Sequence, residues 1–255
     1  LTATHYKYKY KVTYKTEKEG IELNKSEEEV AEEQTPTEVT VTTKGYKITK
    51  WTANKDVKLT TGETIEKGSE ITPNQMKTIK VTEILELTAT IDKANYKVIY
   101  TSDKNGKVTG KTSEEKTYEE KATGTTTESN KGYQFQKWIA DKDIELEDGT
   151  KIEKGSEIKQ TQLEKIKVTE DITLTAIHEQ IIYKIKYNTG TTDIKLEVSM
   201  EDILYGETPT GAAFSGSDKK IENLKWTANK DVKLKNGKVI KSGELMTTAQ
   251  LKEVV

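Results

Sequence analysis

Two histidines, a run of acids, three tryptophans and a Tyr/Lys strand are the side chains of this sequence that could do chemistry. His5 and His178 occupy matching positions just after Leu-Thr-Ala. An imidazole can hold a metal or move a proton, but either task needs a second group beside it. None is close in sequence, so both histidines are expected on the surface of a junction. A Ser/His/Asp set is not expected, because the two histidines fall far apart in the chain. Asp141, Asp143, Glu145, Glu147 and Asp148 are spaced somewhat like a calcium loop. The two stretches most like this one read Asn-Lys-Asp-Val-Lys-Leu, so most of the acids do not recur, and an exposed acidic hairpin face is expected instead. Trp51, Trp138 and Trp226 could stack on sugars. Their recurrence at one place in a strand favours core anchors. In Tyr6 to Lys11, Tyr falls on one face and Lys on the other. That suits either a ligand-contacting strand or a half-buried strand whose lysines discourage edge pairing. Cysteine is absent, which excludes disulfides, thiolate catalysis and cysteine zinc sites.

The elements that position these residues come as a repeat. Each tryptophan opens the same phrase, at separations of 138 − 51 = 87 and 226 − 138 = 88. Such a period marks an array of small units with one core each. Glycines follow each Trp at fixed offsets: Gly62, Gly149 and Gly237, then Gly68, Gly155 and Gly243. A Tyr-Lys-aliphatic-x-Tyr strand leads each copy at Tyr10, Tyr96 and Tyr183, and Leu-Thr-Ala precedes it at Leu1, Leu87 and Leu174. The phasing gives a tail strand of an upstream repeat at 1–5, then repeats at 6–92, 93–179 and 180–255, the last without its tail strand. The chain thus reads as a segment of a longer array. The third copy should be the least stable.

Composition narrows the function. Hydrophobic residues make up 32% and charged residues 33% of the 255, with a net charge of −2. Small units expose more surface per residue, which accounts for part of the low apolar content. All 41 basic residues are Lys. Without a basic field or an Arg fork, nucleic acid is not an expected partner. No stretch is apolar enough for a membrane span.

Within the middle copy, Tyr96, Val98 and Tyr100 alternate on one face, and Asn105-Gly106 signals a hairpin. Alternation through Tyr133, Phe135 and Lys137 sets Trp138 on the opposite face, with Gln134 and Gln136. Asp148-Gly149 closes a second hairpin, matching Thr61-Gly62 and Asn236-Gly237. A short helix follows. Thr72-Pro73-Asn74-Gln75 has an N-cap Thr, a Pro at the first helical position and a returning Gln, and Thr247 to Gln250 repeats the cap. Lys159 takes the cap position in the middle copy, so that helix should start less firmly. Met76 with Ile79, Leu163 with Ile166, and Leu251 with Val254 form an i, i+3 apolar stripe. Ile166 to Leu174 is expected as one tail strand running into the next copy. Only four residues separate Ile91 from Tyr96, so motion between copies should be limited.

Gly45-Tyr46 with Trp51, Gly132-Tyr133-Gln134-Phe135-Gln136-Lys137-Trp138, and the closing Leu-Thr-Ala strand resemble the Listeria–Bacteroides repeats, also called internalin B-repeats. Ile203 to Thr208 resembles the Tyr-Gly-Asp/Glu turn of that family. The hairpin and helix after Trp make these copies longer than the usual repeat, and the third has Lys220-Ile221 in place of Gly-Tyr. The resemblance implies an α+β, mainly β fold of three tandem β-grasp-like repeats, each a small sheet with one short helix. It implies a structural stalk or spacer of an extracellular bacterial cell-surface, adhesin-like protein. No catalytic residue, metal or cofactor is implied. The alternative is a binding module for a host protein or glycan, acting through variable loops. Lys–Asn isopeptide cross-links are known among such surface domains, but no residue pair is singled out for one.

Overall fold

The computed structural model describes residues 8–190, 195–212, 214–215 and 225–255. Leu1 to His5, Tyr6, Lys7 and Lys220-Ile221 lie outside them. The described chain is mainly β, in several small sheets.

The first copy is built on a four-stranded sheet in the order Glu27–Ala31, Lys9–Thr16, Leu85–Lys93, Tyr46–Ala53. The outer pairs are antiparallel. The central pair is parallel, with Val12 opposite Leu85 and Tyr14 opposite Leu87. Parallel neighbours need a long crossover, which everything between Thr16 and Leu85 supplies. The middle copy repeats this order with Ser113–Thr117, Asn95–Ser102, Ile172–Gln180 and Tyr133–Ala140. Lys9–Thr16 is paired on both edges, so its lysines do not guard an edge.

The tryptophan strand carries a correction. Plain alternation sets Trp138 opposite Phe135. The register slips between Phe135 and Lys137, and between Ile48 and Lys50 in the first copy. A β-bulge adds one residue and re-phases every side chain beyond it. Trp138 therefore turns inward beside Phe135, their rings 6.1 Å apart.

After each of these strands comes a hairpin and a turn of helix. Val57–Leu59 pairs with Thr64–Ile65 and with Ile79–Lys80. Ile144–Leu146 pairs likewise with Lys151–Ile152 and Ile166–Lys167. Gly62, Gly149 and Gly237 adopt φ of 91°, 85° and 85°. Their N–H groups donate to Leu59, Leu146 and Leu234 two residues before the turn centre, a closure an L side chain would strain. Gly68, Gly155 and Gly243 donate to Ala53, Ala140 and Ala228, stitching each hairpin to its tryptophan strand.

The helices are Pro73–Met76 and Thr248–Leu251, each opened by a reciprocal Thr/Gln capping box. Gln160–Lys165 is a 3-10 helix. Lys159 N–H donates to the Gln162 side chain at 2.8 Å, but a lysine has no acceptor with which to return the bond. One turn of helix is too short to lie across a four-stranded sheet, so most of the core is sheet against hairpin. The tail strand also differs from expectation. It breaks between Lys167 and Ile172, so Ile166–Lys167 serves the small sheet and Ile172–Gln180 the large one.

Three separate apolar clusters result, within residues 12–91, 98–176 and 187–251. The third copy differs from the others. Among the described residues Ile182–Lys186 pairs with Met200–Leu204, and Lys225–Thr227 with Leu245–Thr247. Its buried cluster is Tyr187, Leu234, Ile240, Met246 and Leu251 among the described residues.

Candidate functional site

Three arrangements of polar and aromatic residues stand out: one in every copy, one in the middle copy, and one at the junctions.

The first surrounds the tryptophans. Trp51 and Trp138 are 1% and 0% exposed, whereas Trp226 is half-buried. Two of the three rings are thus closed to a sugar. A tyrosine meets each edge-on: Tyr14, Tyr100 and Tyr187, at 5.8, 6.1 and 5.4 Å. Each tyrosine hydroxyl donates to a carboxylate on the neighbouring strand, Glu28, Glu114 or Glu201. A threonine closes the network with its hydroxyl and its N–H. Thr37 and Thr123 each donate at 2.7 and 2.9 Å, and Thr210 at 2.7 and 3.1 Å. Burial pushes the Glu114 carboxyl up. The Tyr100 and Thr123 donors and the Lys111 charge outweigh it and hold the group at about 2. Glu28 and Glu201 lie below the usual carboxylate range through the same opposition of burial and donated hydrogen bonds. Burial and the adjacent carboxylate push the three tyrosines well up. A half-buried charge supplied with this many donors is held in place, not poised to react. The sequence carries the signal: Tyr, then Glu 14 residues on, then Thr 9 further, in all three copies.

The second arrangement overturns the surface placement of His178. Its side chain is fully buried. Nδ1 lies 2.9 Å from Asp103 Oδ1, and Nε2 lies 3.2 Å from Thr127 Oγ1. The Asp103 carboxylate also accepts from the His178 N–H at 2.8 Å and the Asn105 N–H at 3.0 Å. Burial raises the Asp103 pKa, but the His178 and Asn105 donors lower it by more, so the net shift is downward. The residues resemble a relay of acid, imidazole and hydroxyl. However, the Thr127 hydroxyl is also 2.8 Å from the Lys107 carbonyl, and the ring has no path to solvent. The Asn105-Gly106 hairpin is replaced as well. Gly106–Val108 pairs with Thr127–Ser129, not with its neighbour in sequence. Phe135 packs edge-on against the imidazole at 5.9 Å.

The acidic run does not converge. Asp141 accepts from Thr173 N–H, Asp143 from Lys154 N–H and Asp148 from Thr150 N–H. Glu145 pairs with Lys167 and Glu147 with Lys121. Among the described residues no three His, Asp or Glu side chains form a metal-holding group, and no helix is long and apolar enough to cross a membrane.

The third arrangement joins successive copies, and it occurs twice. Tyr118, just past Ser113–Thr117, lies on Gly45 of the preceding copy, where a Cβ would sit 2.2 Å from its ring. Tyr205 lies on Gly132 in the same way, at 2.5 Å. Both glycines have positive φ, 81° and 85°. Backbone bonds repeat across each junction: Ala94 N–H to Gly45 and Tyr118 N–H to Ala94, then Ile181 N–H to Gly132 and Tyr205 N–H to Ile181. The Lys93 side chain reaches the Tyr118 carbonyl at 3.1 Å, and Gln180 reaches that of Tyr205 at 3.4 Å. Tyr96 and Tyr183 flank the two knobs at 6.4 and 6.3 Å. Sequence reasoning found the glycines and placed Tyr205 in a turn, but missed Tyr118 and the contact of either tyrosine with a glycine, because Glu32 replaces the knob in the first copy and hides the recurrence.

Residues 96–181 match the family model of the divergent InlB B-repeat domain. The matched stretch begins at the leading strand of the middle copy and ends one residue past its closing strand. No curated protein and no solved structure matches the chain.

Proposed function

We propose that this chain is a spacer segment of a bacterial cell-surface protein, with copies docked in series to hold another part of that protein away from the cell. The observation that carries this reading is the junction. The same tyrosine knob, glycine socket and backbone bonds occur at Gly45/Tyr118 and at Gly132/Tyr205. Two joints of one design favour a fixed angle between copies, as a stalk requires. The match of residues 96–181 to an InlB B-repeat-type domain supports a surface location. The mixed sheet order, with its parallel central pair, supports a grasp-like reading of each copy. The Tyr–Glu–Thr networks fit the same role: each ties a buried tyrosine to a half-buried carboxylate on the neighbouring strand and to a threonine beyond it.

Small-angle scattering of the chain tests the proposal. Three units with a radius of gyration of ~12 Å placed end to end span roughly 90–100 Å. A compact particle, or a distribution of spans as broad as that of freely jointed units, would refute the spacer. Saturable binding of a glycan or host protein to one loop would favour the binding-module reading.

A further inference from the structure

In each of the first two copies the first strand and the last lie side by side and run the same way. Val12 to Thr16 pair with Leu85 to Ala89, and Val98 to Ser102 with Ile172 to Ala176. The chain enters a copy on the leading strand and leaves it on the closing strand. One residue then separates the closing strand from the next leading strand: Ala94 between Leu85–Lys93 and Asn95–Ser102, and Ile181 between Ile172–Gln180 and Ile182–Lys186. A pull along the chain therefore acts on opposite ends of two parallel neighbours and slides one past the other. The hydrogen bonds of a parallel pair are evenly spaced, so sliding loads them together. The rest of the copy hangs between the two strands and is shielded from the load.

The pair is also dry. Val12, Tyr14, Leu85 and Leu87 are buried, as are Val98, Tyr100, Ile172 and Leu174. Water cannot step in there for one broken backbone bond at a time. In the middle copy both ends of the pair are fastened. At one end Lys97 N–H donates to Asp171 Oδ1 at 2.7 Å. At the other, Asp103 N–H donates to the Ala176 carbonyl at 2.9 Å, and the Asp103 carboxylate accepts from His178 N–H at 2.8 Å and lies 2.9 Å from its Nδ1. At the positions of Asp171 and His178 the first copy has Ile84 and Ile91. An isoleucine side chain can make neither bond. An exposed lysine, Lys18, reaches the Ile91 carbonyl there at 3.1 Å.

We propose that the leading and closing strands of each of these copies form a load-bearing clamp, and that the Asp103–His178 pair locks one end of it, so that the middle copy resists tension better than the first. The inference rests on the spacer reading, because a stalk under load is pulled at both ends. It gives the buried imidazole a task that needs no path to solvent. Forced unfolding is governed by the unfolding barrier and not by equilibrium stability. The same pair of strands can therefore be strong when its ends are pulled apart along the chain and weak when it is peeled from one end.

The test is single-molecule stretching of the whole chain. It contains no cysteine, so handles can be attached through pairs of introduced cysteines. Tyr8→Cys with Ile182→Cys loads both clamps by sliding and leaves the third copy outside the load. Tyr8→Cys with Ile84→Cys pulls the first copy's pair from one end and peels it bond by bond. The three positions are 76%, 54% and 63% exposed. Sliding should give two single-step ruptures of unequal force, each releasing one copy's whole length, Lys9 to Lys93 or Asn95 to Gln180. The weaker rupture should still exceed the peeling force about twofold or more at the same pulling rate. Asp103→Ala should lower the stronger rupture to the level of the weaker and leave the weaker unchanged. Asp103→Asn, which keeps an acceptor for the His178 N–H, should lower it less. Equal force in sliding and peeling, release in several small steps, or both ruptures unchanged in Asp103→Ala overturns the proposal. A weak pair in a chain that scatters as an extended rod overturns the clamp and leaves the spacer reading standing.

Discussion

The imidazole of His178 occupies the space that a side chain on Gly106 would need: a Cβ there would lie 2.3 Å from Cε1 of the ring. Gly106 is not among the positive-φ residues. Its requirement for glycine is therefore close approach and not backbone conformation. Gly106→Ala should destabilise the middle copy by about 1–3 kcal/mol, as overpacking does. Adding His178→Ala should recover part of that loss, a coupling that a double-mutant cycle in denaturant will read. Strict additivity would separate the two residues and contradict the packing argument.

The half-buried carboxylates set an acid limit. Glu114 is held at about 2, and Asp103, Glu28 and Glu201 are also lowered. A lowered folded pKa means that the unfolded chain binds more protons at low pH. The stabilisation is therefore full above the unfolded carboxylate range of ~4 and is lost as pH falls towards ~2. Melting temperature should be flat from neutral pH to about 5 and fall steeply below ~4. Glu114→Gln should blunt that fall for the middle copy. A melting curve insensitive to acid would show that these networks do not hold charge.

The junction glycines should be intolerant. Gly45→Ala or Gly132→Ala meets the Tyr118 or Tyr205 ring and also strains a positive φ, which costs about 1–2 kcal/mol for an L residue. Tyr118→Ala removes the knob without the clash. The glycine variants should broaden the distance distribution between spin labels placed in adjacent copies while each copy still melts cooperatively. Tyr118→Ala should do so to a smaller extent. An unchanged distribution in all three would mean that the strand connection alone fixes the joint.

The three tryptophans should not be equivalent in energy. Trp138→Ala empties a fully buried position and should cost about 3–5 kcal/mol. Trp226 is half-buried, and its replacement should cost roughly half as much, in line with the area removed from water. Urea titrations following each copy by amide signals will separate them. Equal losses would show that the third copy closes around its tryptophan in solution.

The repeat period, the strand-rich class, the turn glycines and the capped helix starts were all legible in the sequence, because each depends on residues adjacent along the chain. The Thr72 and Thr247 caps and the Gly62-type hairpins are local bargains between backbone and side chain, so spacing alone reveals them. The facing of Trp138 was not legible, since a bulge at one residue reverses the alternation and nothing local announces it. The burial of His178 rests on Asp103, Gly106 and Thr127, which are brought to it from 51 to 75 residues away. Sequence proximity cannot report a partner that arrives by strand pairing. The recurring Tyr–Glu–Thr spacing was visible, but its meaning depended on a sheet register that puts the carboxylate of one strand under the hydroxyl of the next. Only the folded chain decides which polar groups lose water together, and that loss is what turns ordinary Tyr, Glu, His and Asp side chains into fixed parts of a core.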